Sequence, residues 1–430
     1  MPVRKLLFYL HLATGSLAGV VILIMSVTGV LLAYQRQIVP WVDRDVRSVA
    51  SEPGEARLSG GMLLAKVCAV ESVTPSGVTL HSQADRPIEV AFGNDRTVYF
   101  NSYTGNPIGV ASQKTRSFFQ MVEGVHRWLG APAKYRPVGR LITGIANLAF
   151  LVLVSTGIFL WWPRSWTWRG FRAAVTWRWN PSTSRARYWN WHAVTGFWCA
   201  IPLLVIVSCG VVMSFPWANN LLYRMTGNIP PAAQGGSSGL AGTLPSPAGR
   251  PARHGIAAPN VRREQREWGE ADRGGLQTLE TSSQEGGTCG GWDFDRIDTL
   301  WAYAERQVPG WRTISLRVPA NGAAPAVFTI DEGNGGRPDE RSQLTLDWHT
   351  GAMLRWEPFS SYNEGRRLRS WVRFSHTGEA GGILGQTIAA LAAMGVCVLA
   401  PTGLLMAWKR LLRRPTQRIA RREHEVELAQ

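Results

Sequence analysis

Four long blocks of this chain contain no Asp, Glu, Lys or Arg: Leu6 to Tyr34, Leu141 to Trp162, Tyr188 to Trp217 and Gly381 to Trp408. Each meets or exceeds the roughly 20 residues that an α-helix needs to cross a ~30 Å hydrocarbon core. A soluble chain of 430 residues would instead spread its apolar residues through amphipathic patterns. The blocks predict a membrane protein built on a four-transmembrane-helix bundle. Arg4 and Lys5 ahead of the first block give it the look of a signal peptide. It is too long for one, and no A-x-A-like cleavage site follows it, so a retained signal anchor is expected.

Short loops orient the bundle. The segment 163–188 carries Arg164, Arg169, Arg172, Arg178, Arg185 and Arg187 without an acid, and the tail adds Lys409, Arg410, Arg413 and Arg414. By the positive-inside rule both segments and both termini belong in the cytoplasm, and the long segments 35–138 and 218–375 lie outside. Trp161, Trp162, Trp166, Trp168, Trp177, Trp179, Trp189 and Trp191 crowd the same loop, as rings at a headgroup interface do. The expected division is a first span at 1–34, an exterior domain at 35–138, a second span at 139–162 and a basic loop at 163–188. A third span at 189–217, a second exterior domain at 218–375, a fourth span at 376–409 and a basic tail at 410–430 complete it. The net charge of +16 flanks the spans and accompanies no basic-aromatic nucleic-acid module, so membrane lipid is the expected partner and nucleic acid is not.

Of five cysteines, Cys199, Cys209 and Cys397 fall inside the spans. Cys68 and Cys289 remain outside, and a buried free thiol is the default for Cys68, with a Cys68–Cys289 bridge as the alternative. No disulfide framework, metal spacing or C-x-x-C-H for covalent haem is present.

The chain also repeats itself. "HLATG" opens the first span at His11 and "HAVTG" the third at His192, and a glycine follows each histidine by eighteen residues, Gly29 and Gly210. Eighteen residues are five helical turns, so each glycine shares a face with its histidine about 27 Å along the axis. Outside the membrane, "VYFNSYTGNPIG" (98–109) and "LTLDWHTGAML" (344–354) each read as a strand and a T-G turn. Upstream of each is a helical stretch, and downstream an apolar-aromatic segment ends in His126 or in His376. The repeating unit is span, small α+β domain, histidine, span. Between 228 and 291 the second half carries a Gly/Pro/Ser/Ala-rich insertion that cannot bury enough apolar surface to hold one fold, so a disordered exterior loop with a solvated His254 is expected.

These four histidines form two pairs, His11 with His192 at the cytoplasmic face and His126 with His376 at the exterior face. An ionisable residue inside a membrane is costly and points to function. A single histidine facing a bundle is more often a hydrogen-bonded core residue, but two pairs at matching repeat positions point to ligation. Neutral imidazole is a good axial ligand for haem iron, and facing helices can each supply one nitrogen. Gly15, Ala18, Gly19, Gly196 and Ala200, with Thr156-Gly157 and Thr402-Gly403, supply the small residues that a flat macrocycle needs. Close helix packing explains the glycines but leaves the histidines unexplained. Structural zinc is disfavoured, because no Cys or carboxylate joins the pairs at suitable spacing. The expected cofactors are two haem b groups, with iron held by His11, His192, His126 and His376. Outside, Arg127, Arg140 and Arg373 are candidates to hold haem propionates, and Arg366 and Arg367 to attract an anionic substrate.

The strand-turn segments resemble the PepSY domain, and H-x-x-T-G, "VHRWLG" and "FSHTGEAGG" resemble the PepSY-associated transmembrane helix family. The resemblance covers both halves and fails only in the insertion and the tail. It implies four spans with two periplasmic α+β PepSY-like domains in an internal two-fold repeat, and a relationship to di-haem ferric-siderophore reductases. It carries the four histidines over as haem ligands. Asn101 departs from the acidic residue usual at the first strand-turn. No G-x-G-x-x-G follows a strand, so the expected electron donor is a quinol or another protein, and the acceptor a ferric siderophore in the periplasm. The rival reading is a non-catalytic PepSY anchor that restrains a periplasmic enzyme or assembly partner.

Overall fold

The computed structural model describes residues 2–49, 56–71, 73–93, 96–162, 167–178, 183–230, 292–318 and 325–427. From residue 231 onward the insertion expected at 228–291, with His254 and Cys289, lies outside the described residues. Eleven α-helices are described: α1 (Pro2–Leu32), α2 (Gln35–Val42), α3 (Gly60–Val70), α4 (Gln113–Trp128), α5 (Arg136–Trp161), α6 (Trp168–Val175), α7 (Ser184–Ser214), α8 (Pro216–Met225), α9 (Phe294–Gln307), α10 (Glu364–Thr377) and α11 (Gly382–Glu427). The four long apolar ones, α1, α5, α7 and α11, cover all but one to three residues of the four blocks read from the sequence and are long and apolar enough to cross a membrane. Their neighbours run α1–α11–α7–α5–α1, so the bundle is four-cornered, with α1 and α7 on one diagonal and α5 and α11 on the other. Ile22, Ala146, Val154, Leu203, Ala392 and Val396 fill its centre.

Helix ends correct two expected boundaries. His376 lies in α10, which stops at Gly378 in the left-handed conformation (φ 76°), and α11 begins only at Gly382. The fourth span therefore starts after its histidine. Likewise α4 carries His126 and ends at Leu129 (φ 55°) before α5 begins. The third helix starts five residues early, at Ser184, because Thr183 caps it by accepting the Ala186 N–H.

Eight strands form the extramembrane part: β1 (Gly77–His81), β2 (Ile88–Phe92), β3 (Arg96–Phe100), β4 (Pro107–Val110), β5 (Thr313–Arg317), β6 (Ala326–Asp331), β7 (Arg341–Leu346) and β8 (Met353–Pro358). Two separate domains were expected, yet the strands make one antiparallel sheet in the order β4-β3-β2-β1-β5-β6-β7-β8. Two four-stranded units would each leave a long edge of open N–H and C=O groups, which favours joining. Pairing β1 with β5 closes both edges, with Thr79 opposite Ser315 and their hydroxyls 2.8 Å apart. One core runs across the seam, from Val78, Val90 and Phe100 to Leu316, Phe328 and Leu344. α3 and α9 pack together, and Asp298 of α9 caps α3 by accepting from Ser59 Oγ (2.6 Å) and the Gly61 N–H (2.5 Å).

The two T-G turns share one construction despite the departure at Asn101. Asn101 Oδ1 accepts the N–H groups of Tyr103 and Thr104 (2.8 and 3.1 Å), and Asp347 Oδ1 those of His349 and Thr350 (3.0 and 2.7 Å). An amide oxygen thus replaces the carboxylate without loss of the turn. Gly105 and Gly351 close the turns at φ 73° and 74°, where a side chain would be strained. Cys68 is disulfide-bonded rather than a free thiol, while Cys199, Cys209 and Cys397 are free. The bridge weighed for it ends at Cys289, outside the described residues.

A buried polar network ties the sheet to α4. Asp43, 3 % exposed, accepts from Tyr99 Oη (3.1 Å), the Ser112 N–H (2.8 Å) and Arg116 (2.5 Å). Beside it Glu89 pairs with Arg47 (3.0 Å) and His81 (3.2 Å). Burial alone would raise the Glu89 carboxyl, but the His81 hydrogen bond and the Arg47 charge outweigh it and hold it low. Burial, with Glu89 nearby, pushes Tyr99 up to about 12. A phenol whose folded value is raised contributes stability that is complete below the unfolded value of about 10 and fades as pH climbs through the folded one. The sheet should therefore lose stability between about pH 10 and 12. Alkaline unfolding followed with tyrosinate absorbance should show this loss, and Tyr99→Phe should remove the component titrating near 12.

Candidate functional site

The fold brings the four spaced histidines together in two facing pairs. His11 of α1 and His192 of α7 meet across one bundle diagonal with ring centroids 6.3 Å apart and planes at 84°. His126 of α4 and His376 of α10 meet near the sheet side, also at 6.3 Å, with planes at 61°. Two imidazoles on opposite sides of one metal, with metal–nitrogen bonds of about 2.0–2.1 Å and each nitrogen about 1.1 Å from its ring centre, would hold their centroids about 6.2–6.4 Å apart. Both pairs have that separation.

Each ring has its Nδ1 committed. His11 Nδ1 lies 2.9 Å from Thr156 Oγ1 and His126 Nδ1 2.9 Å from Thr28 Oγ1. His192 Nδ1 lies 3.0 Å from the Leu399 carbonyl and 3.1 Å from Thr402 Oγ1, and His376 Nδ1 2.8 Å from the Ile206 carbonyl. A carbonyl only accepts, so His192 and His376 carry their proton on Nδ1. The threonines give the same answer by a further step, because a hydroxyl has one proton to donate. Thr28 gives it to the Ile24 carbonyl (2.8 Å), Thr156 to Val152 (2.7 Å) and Thr402 to Val398 (2.6 Å). Each threonine can then only accept from its histidine. All four rings are fixed as Nδ1–H tautomers, which leaves the Nε2 lone pair as the donor to a metal.

Glycines next to the threonines make room for the rings. A Cβ on Gly157 would lie 3.5 Å from His11 Cε1, on Gly403 3.2 Å from His192 Cε1, and on Gly29 3.6 Å from His126 Cε1. Gly210, eighteen residues beyond His192, serves Asn147, whose side chain lies where its Cβ would go and donates to the Val207 carbonyl at 3.1 Å. The T-G dipeptide was legible for its glycine, and its threonine was missed. At the fourth position the chain has Cys209-Gly210, and there His376 reaches a backbone carbonyl directly.

Thr28 is seventeen residues beyond His11 on one helix, which puts the pairs about 25 Å apart along the bundle. Between them the apolar centre, with Leu153 and Phe150 against it, contains no Asp, Glu, Lys, Arg or further His. Near the first pair an apolar groove of about 560 Å³ opens between α1 and α11, lined by Ser16, Pro401, Leu404, Leu405, Ala407 and Trp408.

The expected arginines divide. Arg127, next to His126, donates to the buried Glu123 (3.1 Å) and lies over the Trp128 ring. Thr143 Oγ1 lies 2.8 Å from the Arg127 carbonyl and 3.0 Å from the Arg140 carbonyl, so the backbones of these two residues meet at the head of α5. Arg373 lies over the Phe374 ring at 5.0 Å. Arg366 and Arg367, expected to offer positive charge to an anionic substrate, each meet a carboxylate: Arg366 pairs with Glu357 (2.5 Å), which Arg355 shares (2.8 Å), and Arg367 pairs with Glu364 (3.0 Å). Glu357 is buried and faces two arginines, whereas the Arg367–Glu364 pair lies at the surface.

The model of one family, the PepSY-associated TM region, matches residues 8–410, which takes in both histidine pairs, all four spans and the sheet. The chain belongs to the PepSY-associated TM family. No curated protein matches it. In this PepSY-associated protein the residues would suit an iron porphyrin: two facing imidazole pairs, small residues beside the rings and an apolar surround. Among the described residues no group of three or more His, Cys, Asp or Glu is placed to hold a bare metal ion.

The tautomer assignment is open to direct measurement. Solid-state nitrogen NMR on ring-labelled histidine should show the Nδ1–H form for all four residues. Thr156→Val should shift the His11 nitrogen signals alone and leave the other three histidines unchanged.

Proposed function

We propose that this protein is an inner-membrane di-haem b electron-transfer protein that reduces ferric siderophores in the periplasm and so releases Fe(II). The observation that carries the reading is the pair of facing, Nδ1–H-locked histidine couples at 6.3 Å. Bound haem b supplies reversible one-electron chemistry, and the lack of C-x-x-C-H makes its attachment non-covalent. His11 and His192 would hold one group, and His126 and His376 the other. Thr156, Thr402, Thr28 and the two carbonyl acceptors keep each imidazole aimed and raise its basicity. Gly157, Gly403 and Gly29 keep the space beside the rings open, and the apolar centre keeps water and ions from the path between the pairs. Arg127, Arg140 and Arg373, close in sequence to His126, to the head of α5 and to His376, are the residues that would give the propionates of the sheet-side group charge-assisted hydrogen bonds.

Topology gives the direction. Basic residues without acids flank the terminal ends of the spans, which supports a cytoplasmic placement there and a periplasmic one for the sheet. A disulfide at Cys68 suits the oxidising side. A quinol or a protein donor would then deliver electrons near His11 and His192. Ferric iron in an oxygen-rich chelate would take up one electron per ion near His126 and His376, and Fe(II), a weaker partner for such ligands, would be released.

Purified protein from haem-replete cells should show bis-histidine cytochrome bands and about two extractable haems per chain. Colourless protein would favour the alternative, a PepSY membrane anchor in which the histidines are structural. His11→Ala should remove one haem and spare the other, while Thr156→Val should weaken that same haem's binding by roughly 10–100-fold. Dithionite-reduced protein should be reoxidised by a ferric siderophore at one iron per electron, and Arg373→Gln should shift the midpoint potential of the sheet-side haem alone.

A further inference from the structure

Outside the spans, an apolar stripe runs along one side of α8. Trp217, Leu221 and Met225 recur every four residues and so share a face, and Ile229 extends the line past the helix end. They are 53 %, 51 %, 78 % and 87 % exposed. The opposite face is closed. Ala218, Leu222 and Tyr223 are buried there, the last two against Val372 of α10, and Asn219 accepts from Arg369 at 2.8 Å. The protein holds α8 along one side and presents a row of large apolar side chains on the other.

The position of the helix identifies what covers that row. α7 ends at Ser214, Phe215 is extended (φ −125°, ψ 126°), and Pro216 opens α8, so the stripe begins three residues after a span ends. The first span has the same sequel. α2 starts three residues after α1 ends and carries Ile38 and Trp41, one turn apart and 37 % and 65 % exposed. α1 and α7 occupy opposite corners of the bundle, so the two apolar faces flank the molecule on both sides. A docked protein would cover one side, whereas a bilayer surrounds both. Neither helix contains an acidic residue, and cations sit at the rim: Arg224 in α8, and Arg44, which lies 4.9 Å over the Trp41 ring. Outward aromatic and aliphatic residues with basic rims are the make-up of a helix lying in a membrane interface.

We propose that α8, with α2 as its counterpart, is an interfacial anchor whose apolar face lies in the headgroup–acyl boundary of the sheet-side leaflet, its ligand being phospholipid. The assignment is independent of the haem reading and requires only that α7 spans the membrane. It also fixes a depth. Val372 packs on α8 one turn before His376, so the sheet-side histidine pair sits at the bilayer surface, where a reactant arrives along the headgroups.

Spin labels test the assignment in the full chain, embedded in nanodiscs of phosphatidylcholine and phosphatidylglycerol. Labels go at Leu221→Cys and Met225→Cys with Cys199, Cys209 and Cys397 replaced by alanine, and at Arg317→Cys on the sheet as the water-facing reference. At 221 and 225 collision with oxygen should exceed collision with a nickel chelate, and at 317 the order should reverse. Nickel exceeding oxygen at 221 and 225 would place the stripe in water and overturn the proposal. Low collision with both would mean that a protein surface covers it, which overturns it equally. The unlabelled chain gives a second readout, because Met225 is more exposed than Met353 of β8 (78 % against 51 %). Under hydroxyl radicals in nanodiscs Met225 should nevertheless oxidise more slowly, and faster oxidation at Met225 would refute the anchor.

Discussion

One proton on Nδ1 of each of four imidazoles is the constraint around which the bundle is arranged. Acceptors for those protons come from α1, α5, α7 and α11, and no histidine takes its acceptor from its own helix. Each bond therefore also clamps two elements together. His11 ties α1 to α5, His192 ties α7 to α11, His126 ties α4 to α1, and His376 ties α10 to α7. A buried hydrogen bond in a span is worth little more than the same bond in water when it acts alone. Four that are interlocked with facing ring pairs fix the rotation of every span about its axis, because turning any one by a residue would lose an acceptor and misalign a ring.

Much of this was legible in the sequence for physical reasons that can be named. Uncharged blocks of bilayer length announced the spans, since charge is the feature that hydrocarbon tolerates least. H-x-x-T-G at matching positions announced the histidine pairs. What stayed hidden was long-range or double-duty. Strands β1 and β5 lie more than two hundred residues apart, and neither has a local signal for pairing with the other. Threonine in a span reads as an ordinary small polar residue until its hydroxyl proton is traced to the carbonyl four residues back. Arg366 and Arg367 looked like free positive charge because their partners, Glu357 in β8 and Glu364 in the first turn of α10, were not assigned to them. The break at Gly378 separates a histidine helix from its span, though the sequence there reads as one approach to the membrane.

Both histidine-bearing helices reach the membrane by the same route. α4 and α10 run from the sheet to the histidine, stop in a left-handed residue, and hand over to a span whose first turn is glycine-bearing. A Cβ on Gly139 would collide with the Trp128 carbonyl, and one on Gly385 with the Gly378 carbonyl. That close approach lets the ring of each pair sit directly over the end of the bundle. Sheet and bundle are thereby coupled through short, well-packed connections, and the Asp43–Arg116–Tyr99 network anchors the far end of α4.

The seam between β1 and β5 has a consequence for how such a chain can arise. An antiparallel pair of equivalent edges is what a two-fold axis generates when a surface meets a copy of itself. Register across this seam is centred on Thr79 and Ser315, with Gly77 against Arg317 and His81 against Thr313 at its ends. Two molecules of a half-length chain, each with two spans and four strands, could meet along the same edge and close the same four-cornered bundle. Joining them end to end would add covalent linkage to an assembly whose contacts were already complementary, and would free each half to change independently.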